Sequence, residues 1–408
     1  MTDRTTRSGT AAARASRLPA LTGMRFIAAA LVFFFHANFE GFFADADSAS
    51  VMKSLSYQGG WTGVGFFFIL SGFVLAWSAR ADDTTGSFLR RRFFKIYPLH
   101  LLTFAVAAVL LVTVAGMPFD GGNALLQLFL LQSWSPDIFV RSSFNGVAWS
   151  LSCELLFYAL FPLLWRLVRR IRPERLWAAA GAVTAAVFAV PLFAPLLSDQ
   201  SLIPVVNIKS SEMWLTYQFP ATRVLDFVFG MILARVVAEG RRLPLNFGGA
   251  LLLTLAAYVV APFFPASYHL TAIMLVPLGL LIAAAAQGDT RGKRNWFSSR
   301  AMVRLGEVSF AMYISHQLVL GYGHMIFGGY TVLWGTWQAI GLIALFLTTT
   351  LLVAWLLFTF VERPVMRRFG TSRAHRAAQA AARAAQPVAA SRPAPSAAPA
   401  EEPQLSLR

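Results

Sequence analysis

Apolar runs long enough to cross a bilayer as helices recur from one end of this chain to the other, and they leave few folds open to it. They fall at roughly residues 20–38, 61–79, 98–116, 146–165, 176–194, 216–237, 246–263, 268–287, 305–325 and 336–360. Of the 408 residues, 57% are hydrophobic and 13% charged, which leaves little room for a soluble domain. Backbone polar groups in hydrocarbon must be satisfied within each segment, and that selects helices over an open sheet. The sequence therefore predicts an all-α integral membrane protein, a bundle of about ten transmembrane helices.

Cations orient the bundle. Arg4, Arg7, Arg14 and Arg17 precede the first run, Arg80 and Arg90 to Lys95 follow the second, and Arg166 to Arg175 follow the fourth. Arg241, Arg242, Arg291 to Arg304 and the tail from Arg363 belong to the same side, whereas the loops of the other side hold only Lys53, Arg141 and Lys209. The positive-inside rule then puts both termini in the cytoplasm, in keeping with an even number of spans. The formal net charge of +16 is spread over these loops, so topology and anionic lipid account for most of it without nucleic acid. Cys153 is the only cysteine, which excludes an intrachain disulfide and a multi-cysteine metal site.

Residues 1–17 and 370–408 hold too few large apolar side chains to fold alone and are expected to be disordered, with 374–385 able to form a transient basic helix on the inner leaflet. The transmembrane domain is accordingly 18–369. A basic start, the run Phe26 to Phe35 and the sequence Ala44-Asp45-Ala46 also fit a cleavable signal peptide. The apolar stretch continues to Phe39, however, and its loss would leave an odd number of spans against the charge asymmetry. The longest outward loop, Met117 to Asn145, carries Gln127, Gln132, Ser133, Trp134, Asp137 and Asn145 around an apolar piece, Leu125 to Leu131, too short to span. It reads as an acceptor-binding cap or as a plain solvated loop. No internal repeat is visible.

Several ionisable residues sit where hydrocarbon is expected. Arg25 and His36 lie in the first run, and on one helix they share a face about 16 Å apart, a guanidinium near one membrane surface and an imidazole near the other. Intramembrane charges face a protein interior or a watery cavity; the alternative is that Arg25 snorkels and His36 lies at the outer interface. Arg90, Arg91, Arg92 and Lys95 form a dense cluster, in which Arg92 and Lys95, at i and i+3, suit either a polyphosphate clamp or a positive-inside anchor. Glu154, in Trp149-Ser150-Leu151-Ser152-Cys153-Glu154, lies about two turns into the fourth span and requires a cation, a histidine or a proton. Arg223 and Asp226 are spaced to pair with each other and support a cavity wall. His316, three residues after Tyr313, falls near mid-span, where a structural role and a chemical one both fit. Pro364, after Glu362 and Arg363, is placed to stop the last span, and Gly63, Gly65 and Gly72 suit close helix packing.

Taken in order, these pieces resemble the acyltransferase family 3 of polytopic membrane O-acyltransferases over nearly all of positions 18–369. They are Leu21-Thr22-Gly23-Met24-Arg25 with His36 (similar to the family's arginine, ten residues, histidine signature), Phe67 to Phe73, Arg90 to Pro98, Trp149-Ser150-Leu151 with Glu154, Arg223 to Gly230, Ser309 to His316, and Glu362-Arg363-Pro364. Thr22 stands where many members have Asp, and Lys95 replaces the second of the family's paired arginines, keeping the charge without the bidentate fork.

The resemblance implies a multi-pass enzyme of the plasma membrane. It would transfer an acyl group, most often acetyl, from acyl-coenzyme A to a hydroxyl of a carbohydrate, cell-surface glycan or macrolide-type metabolite, without a metal. Arg25, Arg92 and Lys95 would bind the coenzyme, His36 would act as base with Glu154 orienting its ring, and Trp149, Ser150, Arg223, Tyr313 and His316 would support substrate or oxyanion. Partners would be acyl-coenzyme A, the hydroxylated acceptor and membrane lipid, with no nucleic acid. The competing reading is a transporter or flippase of a glycan or lipid-linked metabolite, with the same charges forming a substrate path.

Overall fold

The structure, a computed structural model, describes residues 18–79, 83–197, 201–203, 207–329 and 331–370. The two terminal segments read as disordered, 1–17 and 370–408, lie outside these residues apart from Gly370. Every one of the ten apolar runs is helical. In chain order the α-helices of seven residues or more are α1 Pro19–Glu40, α2 Ala46–Trp77, α3 Thr85–Thr113, α4 Gly121–Leu128, α5 Trp149–Val168, α6 Leu176–Ala189, α7 Pro220–Ala238, α8 Phe247–Val260, α9 Ala272–Thr290, α10 Arg300–Glu307, α11 Ser309–Gly328, α12 Thr336–Leu357 and α13 Arg363–Phe369. The only strands among the described residues are Leu202–Ile203 and Ile208–Lys209, paired antiparallel.

Seven helices among the described residues are long and apolar enough to cross a membrane: Pro19–Glu40, Ala46–Trp77, Thr85–Thr113, Gly146–Val168, Pro173–Leu196, Ala266–Thr290 and Thr336–Phe369. The expected count of ten included three that fall short of this for readable reasons. Phe247–Phe263 is shorter, α7 carries Arg223, Asp226 and Arg235, and α11 carries polar residues that include His316 and His324. Those charges and histidines are turned inward: Arg223, Asp226, His316 and His324 are all buried.

Helix α1 is packed on α2, α9, α10 and α11, and α2 is packed in turn on α7 and α9. Around this centre, α3, α6 and α12 keep most of their surface outside the protein interior, the arrangement expected of lipid-facing helices. The start of α1 has no side-chain cap of its own; the Ala20 N–H instead donates to Asp289 Oδ2 at the end of α9, 2.9 Å away. Gly41, in the left-handed conformation at φ 70°, closes α1, and Asp45 caps α2 by accepting from Ser48 N at 2.8 Å.

The α2–α7 crossing is among the tightest in the bundle, with that of α1 on α10, where a Cβ on Gly306 would lie 1.8 Å from Thr22 O. A Cβ on Gly72 would lie 1.9 Å from Phe227 O, and one on Gly230 would lie 1.9 Å from Ile69 O, so each helix presses its bare backbone on the other. Gly63 is similarly placed against Ala28 O at 2.5 Å, whereas Gly65 has ordinary room.

The loop from Met117 to Asn145 is not a plain solvated loop. Gln127, Gln132, Ser133 and Asn145 are buried, while Trp134 and Asp137 remain exposed. Gln127 Nε2 donates to Asn145 O at 3.0 Å and Asn145 Nδ2 to Ile314 O at 2.9 Å, and Ser133 Oγ donates to Trp149 O at 3.0 Å. The loop thus folds down over the start of α5 and ties it to α11.

The glycine crossing yields the first test. Gly230→Ala forces two backbones apart, an overpacking that costs about 1–3 kcal/mol or more. Thermal unfolding of the purified protein should show a clearly lowered midpoint, while Gly65→Ala should leave it within error.

Candidate active site

The sequence pairs Arg25 with His36 on one helix, and α11 supplies what faces the imidazole. His36 Nδ1 is 2.9 Å from Val32 O and 3.1 Å from His316 Nε2. His316 Nδ1 is 2.5 Å from Tyr313 O. A carbonyl only accepts, so His36 carries its proton on Nδ1 and His316 carries its own on Nδ1. His316 Nε2 is then the lone pair that His36 Nδ1–H faces, and the basic nitrogen left over on His36 is Nε2. His316 is buried, whereas His36 keeps part of its surface accessible.

One turn before His316, the Tyr313 hydroxyl donates to Ser150 Oγ at 2.8 Å and lies 3.2 Å from Val147 O. Ser150 and Tyr313 line a cavity of about 50 Å³ together with Glu154, Arg25, Phe68 and Phe310. Glu154, expected to serve the imidazole, instead accepts a hydrogen bond from Tyr158 at 3.1 Å and shares this cavity with Arg25. Val32 O and His316 Nε2 both face Nδ1 of His36, so the partners that the fold supplies to orient the ring are a backbone carbonyl and a second histidine.

Arg25 also lines a second, more open cavity of about 320 Å³, with Thr22, Lys95, Glu307, Glu362 and Arg363. Its side chain therefore stands at the junction between a roomy polar vestibule and a narrow interior. Lys95 forms an ion pair with the buried Glu362. Glu362 closes a π-helical turn, Phe358–Glu362, at the end of α12, a deviation that re-aims a side chain without breaking the helix.

The four-cation cluster of α3 is divided by the fold. Arg91 pairs with Asp83, Arg92 lies over the Phe88 and Tyr158 rings at 5.6 and 5.8 Å, and only Lys95 lines the vestibule. Arg92 thus stands behind Tyr158 and Glu154, a helical turn from Lys95.

Arg223 is buried against Asp226 at 2.9 Å, with its guanidinium over Phe68 and Tyr217 at 5.2 and 5.6 Å. It backs the cavity wall that Phe68 forms. Trp149 packs on Tyr217, ring centroids 4.8 Å apart, and edge-on to Phe68 at 5.9 Å. Sequence reasoning did not single out Tyr158 or Tyr217, nor the link from Lys95 to Glu362. The i,i+4 spacing of Glu154 and Tyr158 was a signal for the first; a partner 267 positions away along the chain leaves none.

The chain matches the acyltransferase family 3 model, an acyltransferase domain, over residues 18–359. It is similar to acyltransferase MdmB of Streptomyces mycarofaciens, with 41% identity over 368 residues, 88% of this chain and 94% of that protein. It is also similar to the exopolysaccharide production protein ExoZ of Rhizobium meliloti, with 28% identity over 277 residues, 64% of this chain and 77% of ExoZ. With the peptidoglycan O-acetyltransferase OatA of Listeria monocytogenes it shares 21% identity over 379 residues, 86% of this chain and 56% of OatA. No solved structure matches it. A family model covering the helical bundle, and a relative aligned almost end to end, show that the chain belongs to acyltransferase family 3 and is an acyltransferase of the multi-pass membrane type.

Proposed function

We propose that the protein moves an acyl group, acetyl by preference, from acyl-coenzyme A on the cytoplasmic side to a hydroxyl of a carbohydrate, cell-surface glycan or macrolide-type metabolite. In this reading residues 18–369 form ten spans of the plasma membrane with both termini in the cytoplasm, the side to which the loop cations point. The observation that carries it is the line along α1: a polar vestibule at Lys95 and Arg25, a narrow cavity at Glu154, Ser150 and Tyr313, and the His36–His316 pair beyond. A peptidoglycan O-acetyltransferase and an exopolysaccharide production protein among the relatives support a glycan acceptor.

The donor's phosphates bind in the vestibule on Arg25 and Lys95, with Arg92 adding positive potential from behind Tyr158. Before they arrive, Glu362 neutralises Lys95, so phosphate and carboxylate compete for one ammonium. The pantetheine arm then carries the thioester through the narrow cavity. His36 Nε2 takes the proton of the acceptor hydroxyl as its oxygen attacks the thioester carbonyl, and the resulting imidazolium returns a proton to the departing thiolate. His316 positions His36 by holding Nδ1–H. The hydroxyls of Ser150 and Tyr313 line the cavity, Ser150 donating to Val147 O and Tyr313 to Ser150 Oγ, and they serve the developing oxyanion by turning away from those acceptors, with the buried Arg223 and Trp149 keeping that wall in place.

Three outcomes follow from this geometry. His36→Ala should lower acyl transfer at least about 100-fold with the protein still in the membrane, read by mass spectrometry of glycans and secreted metabolites from matched cells; transfer at wild-type level would remove the base. Lys95→Gln should raise the KM for acetyl-coenzyme A and Glu362→Gln should lower it, and shifts of equal sign would refute competition for the ammonium. His316→Gln, which keeps an acceptor opposite Nδ1–H, should retain more kcat than His316→Ala while both leave the acetyl-coenzyme A KM within about threefold. Equal kcat in the two variants would make the histidine a packing residue.

A further inference from the structure

Beyond the reacting groups lies a polar and aromatic cluster to which, Trp149 apart, the chemistry above gives no work. Gln58, Trp61 and Thr62, at i, i+3 and i+4, share one face of α2. The Trp61 ring meets Tyr217 edge-on at 4.8 Å, and Tyr217 packs on Trp149. Tyr217 and Gln218 end a π-helical turn, Trp214–Gln218, just before Pro220 starts α7. All of these side chains are buried. Among them, Gln58 Oε1, Trp61 Nε1, Thr62 Oγ1 and Gln218 Oε1 have no hydrogen-bond partner among the described residues.

Four orphaned polar atoms on side chains in and next to this aromatic nest, with the amide nitrogen of Gln58 already held by His269 O at 3.1 Å, run against the rule that buried polar groups are paired, and hydrocarbon around the bundle makes the omission more costly. Apolar replacements would stabilise a merely structural core, so the polar atoms point to a ligand that completes them. Their chemistry describes it. Two amide oxygens accept, an indole N–H donates, a hydroxyl does either, and flat ring faces offer stacking to a C–H surface. No charged side chain belongs to the nest, since Arg223 behind Tyr217 is already paired with Asp226. The nest also adjoins the site: Phe35 meets Trp61 at 4.6 Å and precedes His36, and Trp149 precedes Ser150.

We propose that Trp61, Tyr217 and Trp149, with Gln58, Thr62 and Gln218, form the subsite that holds a neutral polyhydroxylated ring, a sugar residue of the acceptor, while a hydroxyl is presented to His36. This rests on the acyl-coenzyme A reading of the site. Ring faces take the C–H side of the sugar, and its hydroxyls complete the four orphaned atoms. The aromatic rings, which meet edge to face, part to admit it.

The test is saturation-transfer NMR on the full-length protein in lipid nanodiscs, with methyl glycosides of glucose, galactose, N-acetylglucosamine and rhamnose as probes and cyclohexanol as the apolar control. At least one glycoside should receive saturation on its ring C–H protons. Gln218→Leu and Thr62→Val should each weaken that affinity tenfold or more with the thermal midpoint at or above wild type. Absence of transfer to every glycoside, transfer to cyclohexanol alone, or wild-type affinity in both variants would overturn the subsite and leave the nest to ordered water. Acetyl-coenzyme A is titrated separately onto wild-type protein. If it binds while no glycoside does, the subsite alone fails; if it does not bind, the donor reading fails on its own.

Discussion

The hydrogen bond from Ala20 N–H to the Asp289 carboxylate sets the height at which α1 begins, and the site is counted from there. Every residue adds about 1.5 Å along a helix, so the depths of Arg25 and His36 follow from that first turn. Helix α1 also needs its neighbours, because α2, α5 and α11 supply the other walls of the interior cavity and α11 supplies the histidine opposite His36. A shift of one turn would carry the imidazole past its partner and the guanidinium out of the vestibule.

Burial in a bilayer explains the economy of the polar groups. Where hydrocarbon surrounds the bundle, a side chain that is charged or hydrogen-bonding has to find a protein partner. Arg223 finds Asp226, Lys95 finds Glu362, Arg92 finds two aromatic faces, and His316 finds a carbonyl on one side and a second histidine on the other. The two π-helical turns belong to the same pattern. One brings Glu362 to the vestibule and the other brings Tyr217 and Gln218 to the aromatic nest, each inserting a slight misfit in a helix to aim side chains inward.

The division of labour along α1 is a consequence of size as much as of charge. The vestibule, at about 320 Å³, is roomy and polar, and the interior cavity, at about 50 Å³, has space for little more than water. The loop from Met117 to Asn145 is tied through Asn145 to Ile314 and through Ser133 to Trp149, and so packs on the starts of the elements that line the interior cavity.

The membrane-spanning class was legible in the sequence because hydropathy over about twenty residues is a local property, as were the Arg25–His36 alignment and the Arg223–Asp226 pair, which depend only on helical spacing. The family was legible too, since its motifs are short and ordered along the chain. Which side chain meets which across helices was not. The family resemblance implied that Glu154 orients His36, whereas the fold sets His316 against His36 and bonds Glu154 to Tyr158. Spacing left Arg92 and Lys95 open as a clamp or as an anchor, and of the two α3 turns only Lys95 to the vestibule, where it pairs with Glu362. Helical periodicity fixes the face on which a residue lies, but the rotation and depth of each helix against its neighbours are set by packing over the whole bundle, and only tertiary structure decides those.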